Sequence, residues 1–178
     1  SALQVALRLV GVNNGDEVIT QALTFVATIN AILYNNAHPI FIDVDLETMG
    51  LSPLAVATFL DEFGEIRDGF CFNKKTNKKI AACMPMHTFG FPVHLDELIT
   101  ICNKWNIPVV EDAAESIGSE YKGVPTGSFG KLGVFSFNGN KIVTSGGGGV
   151  IVTNDLELGI KAKHLTTTAK KPHPYEYV

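Results

Sequence analysis

Short strand-like runs alternate with segments of helical periodicity along most of the chain. That alternation is its strongest constraint, because it predicts βα units and a mainly parallel sheet. "GDEVIT" (15–20) reads as a turn and a strand, and "TFVATINAILYNN" (24–36) as a helix capped by Thr24 and ended by an asparagine pair. "HPIFIDVD" (38–45) reads as a buried strand that leads into an Asx-type turn. "SPLAVATFLDEF" (52–63) places Ser and then Pro at a helix start. "KIAACMPM" (79–86) is an apolar strand, "LDELITICNKWN" (95–106) an amphipathic helix, and "IPVVED" (107–112) a strand ending in two carboxylates. "LGVFSF" (132–137) and "GGVIVT" (148–153) are further strands, and "DLELGIKAKHL" (155–165) is a closing helix. No internal repeat or low-complexity linker interrupts the order.

Composition narrows the classes. The 178 residues suffice for one domain with its own core. With 46% hydrophobic and 18% charged residues, the chain is globular and not disordered. A net charge of −4 argues against a nucleic-acid partner, and "NKKTNKK" (73–79) reads as a solvated loop. No apolar run approaches the roughly 20 residues that cross a bilayer. The start, "SALQVALRLVGV", is helical in character: Leu3, Ala6, Leu7 and Val10 share a face, and Arg8 interrupts any signal-like run. Cys71, Cys83 and Cys102 form no C-x-x-C and suit a reducing, cytoplasmic setting. A helix pattern already under way at residue 1, and "KKPHPYEYV" at the other end without a cap, lead us to expect a piece of a longer protein.

In open α/β sheets ligands bind at the carboxyl ends of strands. That directs attention to Asp43, Asp45, His87, Glu111, Asp112, Ser136 and Lys141. Asp112 could cap a helix starting in "DAAES", or it could hold a proton on a ring nitrogen. Lys141 could snorkel at the surface, or it could attack a carbonyl to form a Schiff base. The glycines at 146–149 allow close backbone approach or a phosphate cradle. They fit neither the G-K-[ST] order of a P-loop nor the dinucleotide fingerprint. Ser136 could bind a phosphate or simply serve a turn. Asp43 and Asp45 read as turn caps, since no third metal ligand is near in sequence. His87 could approach the pocket or hold backbone, and Trp105 reads as packing at a helix end.

The ordered combination is more specific than any of its parts. "VVEDAAES", "GVFSFNGNK" and "GGGGVIVTND" follow one another as in the DegT/DnrJ-type sugar aminotransferases, which depend on pyridoxal 5′-phosphate. "GDEVITQALTFVATINAILYNNAHPIFIDVDLETMGLSP" and "MPMHTFGFPVHLDEL" are similar to the first half and the middle of the same family, so the resemblance covers essentially the whole chain. It implies an αβα sandwich with a mostly parallel central sheet, the large domain of a fold-type I enzyme, with one antiparallel strand within 132–153. Lys141 would be the Schiff-base lysine and proton carrier, Asp112 the partner of the pyridine nitrogen, and Ser136 a phosphate ligand. Phe25 would stack on the ring. Glu115 would lie near the ring's 3′-oxygen, where relatives carry Gln or His, and would need to be protonated or held by another donor. Ser1 and Ala2 join the cofactor-binding set, because in the family a Gly-Thr pair just ahead of them grips the phosphate through its backbone.

The turn "GGGG" departs from the family's frequent "GEGG". With "FSFNGNK", it looks most like the branch acting on UDP-linked 4-keto-6-deoxy N-acetylhexosamines, the bacillosamine and legionaminic acid branch. The resemblance implies glutamate as amino donor, a nucleotide-sugar acceptor, cell-surface glycan synthesis and a homodimer with shared active sites. It also implies an N-terminal segment and a C-terminal small domain outside these residues. A sugar dehydratase of the same fold would carry His at the lysine position. A cofactor- or sugar-binding relative without turnover is disfavoured by Lys141, Asp112 and Ser136 standing together. A NAD-binding domain lacks its fingerprint.

Overall fold

The computed structural model describes residues 1–171; the tail from 172, with the uncapped end expected above, lies outside the described residues. The first elements are α1 (Ala2–Leu9), β1 (Glu17–Gln21), α2 (Val26–Leu33), β2 (His38–Ile42) and α3 (Pro53–Phe63). Then follow β3 (Gly64–Arg67), β4 (Phe70–Asn73), β5 (Lys78–Cys83), α4 (Leu95–Lys104) and β6 (Val110–Asp112). The last are β7 (Glu120–Tyr121), β8 (Val124–Pro125), β9 (Leu132–Ser136), β10 (Gly149–Val152) and α5 (Leu156–Thr166).

The strands order as β2-β1-β5-β4-β3 and β10-β9-β6. Single parallel bridges, Cys83 to Val109 and Met86 to Asp112, join the chain around β5 to that around β6. A run β2-β1-β5-β6-β9-β10 therefore crosses the molecule. Its neighbours are parallel except β9 and β10, which pair antiparallel within the expected stretch. The hairpin β3–β4, antiparallel also to β5, was not foreseen.

Alternation along the strands sends side chains to two faces. On one face, Val18, Ala82, Met84, Val110 and Val134 pack with Ala6 and Leu7 of α1 and Ala31 and Ile32 of α2. On the other, Ile19, Ile80 and Cys83 pack with Val56 and Leu60 of α3 and Leu95, Leu98 and Cys102 of α4. Helices thus cover both faces, as an αβα sandwich requires. Each fully buried Leu or Ile contributes about 2 kcal/mol. The three cysteines are free and buried.

Local chemistry explains most boundaries. Ser52 accepts a hydrogen bond from Ala55 N–H, with Pro53 opening α3. Asp155 caps α5 by accepting from Leu158 N–H. Two expectations need correction. Thr24 does not cap α2; Phe25 holds the N-cap position, and the Thr24 hydroxyl meets that of Thr28 at 2.7 Å. β2 is an edge strand and not a buried one, with Phe41 exposed and only Ile42 buried.

Candidate active site

Glu111 and Asp112 close β6, and successive strand residues face opposite sides of a sheet. No helix follows Asp112: its Oδ1 accepts from Ala114 N–H at 3.2 Å in a local turn, so the helix-cap alternative falls. Its Oδ2 accepts from the Thr28 hydroxyl at 2.7 Å. Asp112 is 2% exposed. Burial pushes its carboxyl above the ordinary value, and the Thr28 hydroxyl, the Ala114 N–H and the nearby His87 and Lys141 offset only part of this.

Lys141 lies in the loop between β9 and β10. Its Nζ reaches back to Glu115 Oε1 at 3.1 Å, with the lysine side chain 14% exposed. The Glu115 Oε2 accepts from Phe89 N–H, also at 3.1 Å. Glu115 is therefore held by two donors, one of the alternatives its position required. The segment carrying Lys141 is not buried among apolar residues, since Ile142 and Val143 are exposed. Gly146 and Gly148 have positive φ, +82° and +122°, a conformation that side chains resist, and they turn the chain back into β10.

Phe25, 65% exposed, stands at the N-cap of α2, one turn from Thr28 on Asp112. Ser136 ends β9: the β6–β9 register sets Val134 beside Asp112, two residues before Ser136, and Ser136 pairs with Gly149. The Ser136 hydroxyl accepts from Asn138 N–H. A cleft of about 950 Å³ between α1, α2, α5 and β9–β10 is lined by Ser1, Ala2, Ser136 and Gly149 among others. Ser1 stands at the N-terminal end of α1, of which Ala2 is the first residue. The structure thus brings Asp112, Lys141, Glu115 and Phe25 to one edge, with Ser136 at the adjoining strand end. Ser1 and Ala2 lie with Ser136 on the cleft, which the first four do not line.

His87 is fully buried and does hold backbone. Its Nδ1 accepts from Val93 N–H at 3.3 Å, which places the ring hydrogen on Nε2, donated to Glu111 Oε2 at 3.1 Å. Glu111 is 0% exposed and also accepts from the N–H groups of Gly127, Phe129 and Gly130 at 2.6 to 2.8 Å. Burial pushes its carboxyl up, but the His87 ring and the Gly130 and Gly127 N–H groups outweigh burial and hold it below the ordinary value. Asp43 and Asp45 serve turns: Asp45 accepts from Glu47 N–H, Thr48 N–H and the Thr48 hydroxyl. Among the described residues no group of His, Cys, Asp and Glu could hold a metal. No helix there is long and apolar enough to cross a membrane. Sequence reasoning missed Thr28 as the partner of Asp112. It also missed Gln21, whose buried amide ties the end of β1 to Met86, Thr88 and Leu51.

A family model described as the DegT/DnrJ/EryC1/StrS aminotransferase family matches residues 1–177. EpsN of Bacillus subtilis (strain 168), whose name assigns it provisionally as a pyridoxal phosphate-dependent aminotransferase, is 42% identical over 172 residues; these are 97% of this chain and 42% of EpsN. The GDP-perosamine synthase of Escherichia coli O157:H7 is 39% identical over 163 residues, 92% of this chain and 40% of that one. The X-ray structure of an aminotransferase from Psychrobacter cryohalolentis superimposes with a TM-score of 0.81 at 32% identity, over 99% of this chain and 42% of the other. The chain spans about two fifths of the length of the curated relatives it matches.

Proposed function

The chain belongs to the DegT/DnrJ/EryC1/StrS aminotransferase family, and on that premise we propose that it forms the cofactor-binding large domain of a pyridoxal 5′-phosphate-dependent sugar aminotransferase. The observation that carries this reading is the buried Asp112 carboxylate beside the Lys141–Glu115 pair at one sheet edge. The residues fit the cofactor. A buried carboxylate whose hydrogen bonds offset only part of its desolvation is short of a cationic partner, and a protonated pyridine nitrogen is one. The Ser136 hydroxyl, which shares a cleft with Ser1 and Ala2, is suited to a phosphate.

When bound, the cofactor supplies a carbonyl that carries the amino group and a ring that withdraws electrons. Every other part falls to the protein. Asp112 would hold the hydrogen on the ring nitrogen, and the exposed Phe25 would cover a ring face. The Lys141 Nζ would anchor the cofactor and then move a proton to and from the substrate carbon. Glu115 orients that amine, with its other oxygen fixed by Phe89 N–H. The family resemblance favours glutamate as donor, the motifs "FSFNGNK" and "GGGG" favour a nucleotide-linked 4-keto-6-deoxy sugar as acceptor in glycan synthesis, and the three unpaired cysteines suit a cytoplasmic setting. The name of the perosamine synthase relative adds support for a nucleotide sugar. A homodimer is favoured by apolar side chains left exposed around the site, Phe25, Phe89, Ile142 and Val143.

The test is the full-length protein given the cofactor, glutamate and a UDP-linked 4-keto sugar. Borohydride should fix the cofactor to Lys141, and Lys141→Ala should still bind it while losing turnover by several orders of magnitude. Labelling of another lysine, or near-normal turnover by Lys141→Ala, would sink the assignment.

A further inference from the structure

Among the described residues, four threonines lie within the five α-helices, and three of them behave alike. The hydroxyls of Thr58, Thr100 and Thr166 each donate to the carbonyl four residues back, to Leu54, Asp96 and Ala162. That local bond is the usual outlet for a helical threonine. Thr28 is the exception. Its hydroxyl leaves the helix and donates to Asp112 Oδ2 at 2.7 Å, across 84 residues of sequence.

The direction of that bond fixes the next one. A hydroxyl has one hydrogen, and that of Thr28 is given to the carboxylate. The 2.7 Å contact between the Thr24 and Thr28 hydroxyls must therefore have Thr24 as donor. Both hydrogens run toward Asp112, so the chain is polarised to favour its charged form, and each bond strengthens the other. Thr28 is buried and Thr24 half-buried. Phe25 stands between them in sequence, its carbonyl accepting from Thr28 N–H.

We propose that Thr28, backed by Thr24, is a positioning residue: it fixes the Asp112 carboxylate and holds it ionised for the cofactor's ring nitrogen. The proposal rests on the reading of Asp112 given above. It makes the first turn of α2 one device, with Phe25 for the ring face and Thr28 for the carboxylate. The charged or titratable groups facing Asp112 besides α2 are His87, after β5, and Lys141, from the β9–β10 loop.

The test uses the full-length protein and its Thr28→Val, Thr28→Ser and Asp112→Asn variants. It reads cofactor affinity, the position of the bound cofactor's absorption band, and the melting temperature without cofactor. Thr28→Val keeps the shape and loses the hydroxyl. It is expected to weaken cofactor binding about tenfold and to displace the band in the same direction as Asp112→Asn, by less. Thr28→Ser should restore both. If Asp112→Asn changes affinity and band and Thr28→Val changes neither, the proposal falls alone, and a lowered melting temperature by itself leaves Thr28 a packing residue. If Asp112→Asn also leaves both at wild-type values, the reading of Asp112 falls with it. Should Thr28→Val fail to fold, Thr24→Val removes only the outer hydroxyl. It is expected to give the same displacement at smaller amplitude, and an unmoved band would overturn the proposal.

Discussion

Glu111 and Asp112 are consecutive, both buried, and pulled in opposite directions. Glu111 accepts four hydrogen bonds, three from the backbone of 127–130 and one from His87. That closed nest brings its carboxyl below the ordinary range despite burial. Asp112 accepts two, from Thr28 and Ala114, and its carboxyl stays above that range. The same residue class on the same strand gives a saturated anchor on the α3–α4 side and an under-supplied acceptor on the α2 side. A buried charge that the protein fully satisfies is structure. One that it leaves wanting is where a ligand can supply the difference.

The comparison breaks most visibly in activity. Asp112→Asn should lower turnover of the full-length enzyme about a thousandfold, roughly 4 kcal/mol of barrier, with little loss of stability. Glu111→Gln should do the reverse. An amide in that nest turns a donor toward backbone donors, and unfolding in urea should report a loss of about 3 kcal/mol. Turnover per folded molecule should stay within about threefold, a barrier change below 1 kcal/mol. Gly133 offers an independent route to the same nest. It pairs with Glu111 across the sheet, and an added Cβ would sit 2.1 Å from the Gly127 carbonyl oxygen. Gly133→Ala should therefore match Glu111→Gln in kind. A stable Glu111→Gln protein with lost turnover would erase the distinction between the two carboxylates.

The two sides were not equally legible. Alternating strand and helix signals placed α3, α4, α5 and β9 within a few residues, because α3 and α5 carry their own caps and α4 and β9 their own apolar pattern. The β3–β4 hairpin was missed, although "EIRDGFCFN" holds an Asp-Gly turn between alternating residues, and Asp68 and Gly69 both take positive φ. The lysines beside it drew the reading toward a solvated loop. Lys141, Asp112 and Ser136 stand out in the sequence because their order along the chain is a motif, and the fold sets them near one another at the strand ends. Thr28 does not stand out. Nothing local marks a helical threonine that donates to a carboxylate 84 positions away. Glu111 was noticed as a strand-end carboxylate, but its four donors come from His87 and 127–130, which only the fold assembles.

Acid titration of the cofactor-free protein sharpens the contrast at a smaller scale. The Glu111 carboxyl is held below 4.5, so its contribution is present above that pH and is lost as pH falls through the folded value. The Asp112 carboxyl is raised above 3.8, so its contribution is present below that pH and is lost as pH rises through the folded value. Melting temperatures from about pH 3 to pH 8 should then diverge. The deficit of Glu111→Gln against wild type should shrink in acid. Asp112→Asn should gain on wild type as pH rises. Variants that track the wild type in parallel across this range would mean that neither shift exists.

The smallest effect belongs to Glu115, which lies between the two regions in character. Like Glu111 it is engaged by a backbone N–H, from Phe89; like Asp112 it lies close to Lys141. Glu115→Gln would keep an oxygen for one of these donors and remove the charge opposite the amine. The change exchanges an ion pair that is partly open to solvent for a hydrogen bond, and such pairs contribute modestly. Turnover should therefore fall less than tenfold, under about 1.4 kcal/mol, and cofactor affinity should move by less than in Asp112→Asn. Steady-state kinetics and a cofactor titration on the same preparation decide it. A loss as large as that of Asp112→Asn would give Glu115 a direct part in the chemistry, and the charge on its carboxylate would then be what the site depends on.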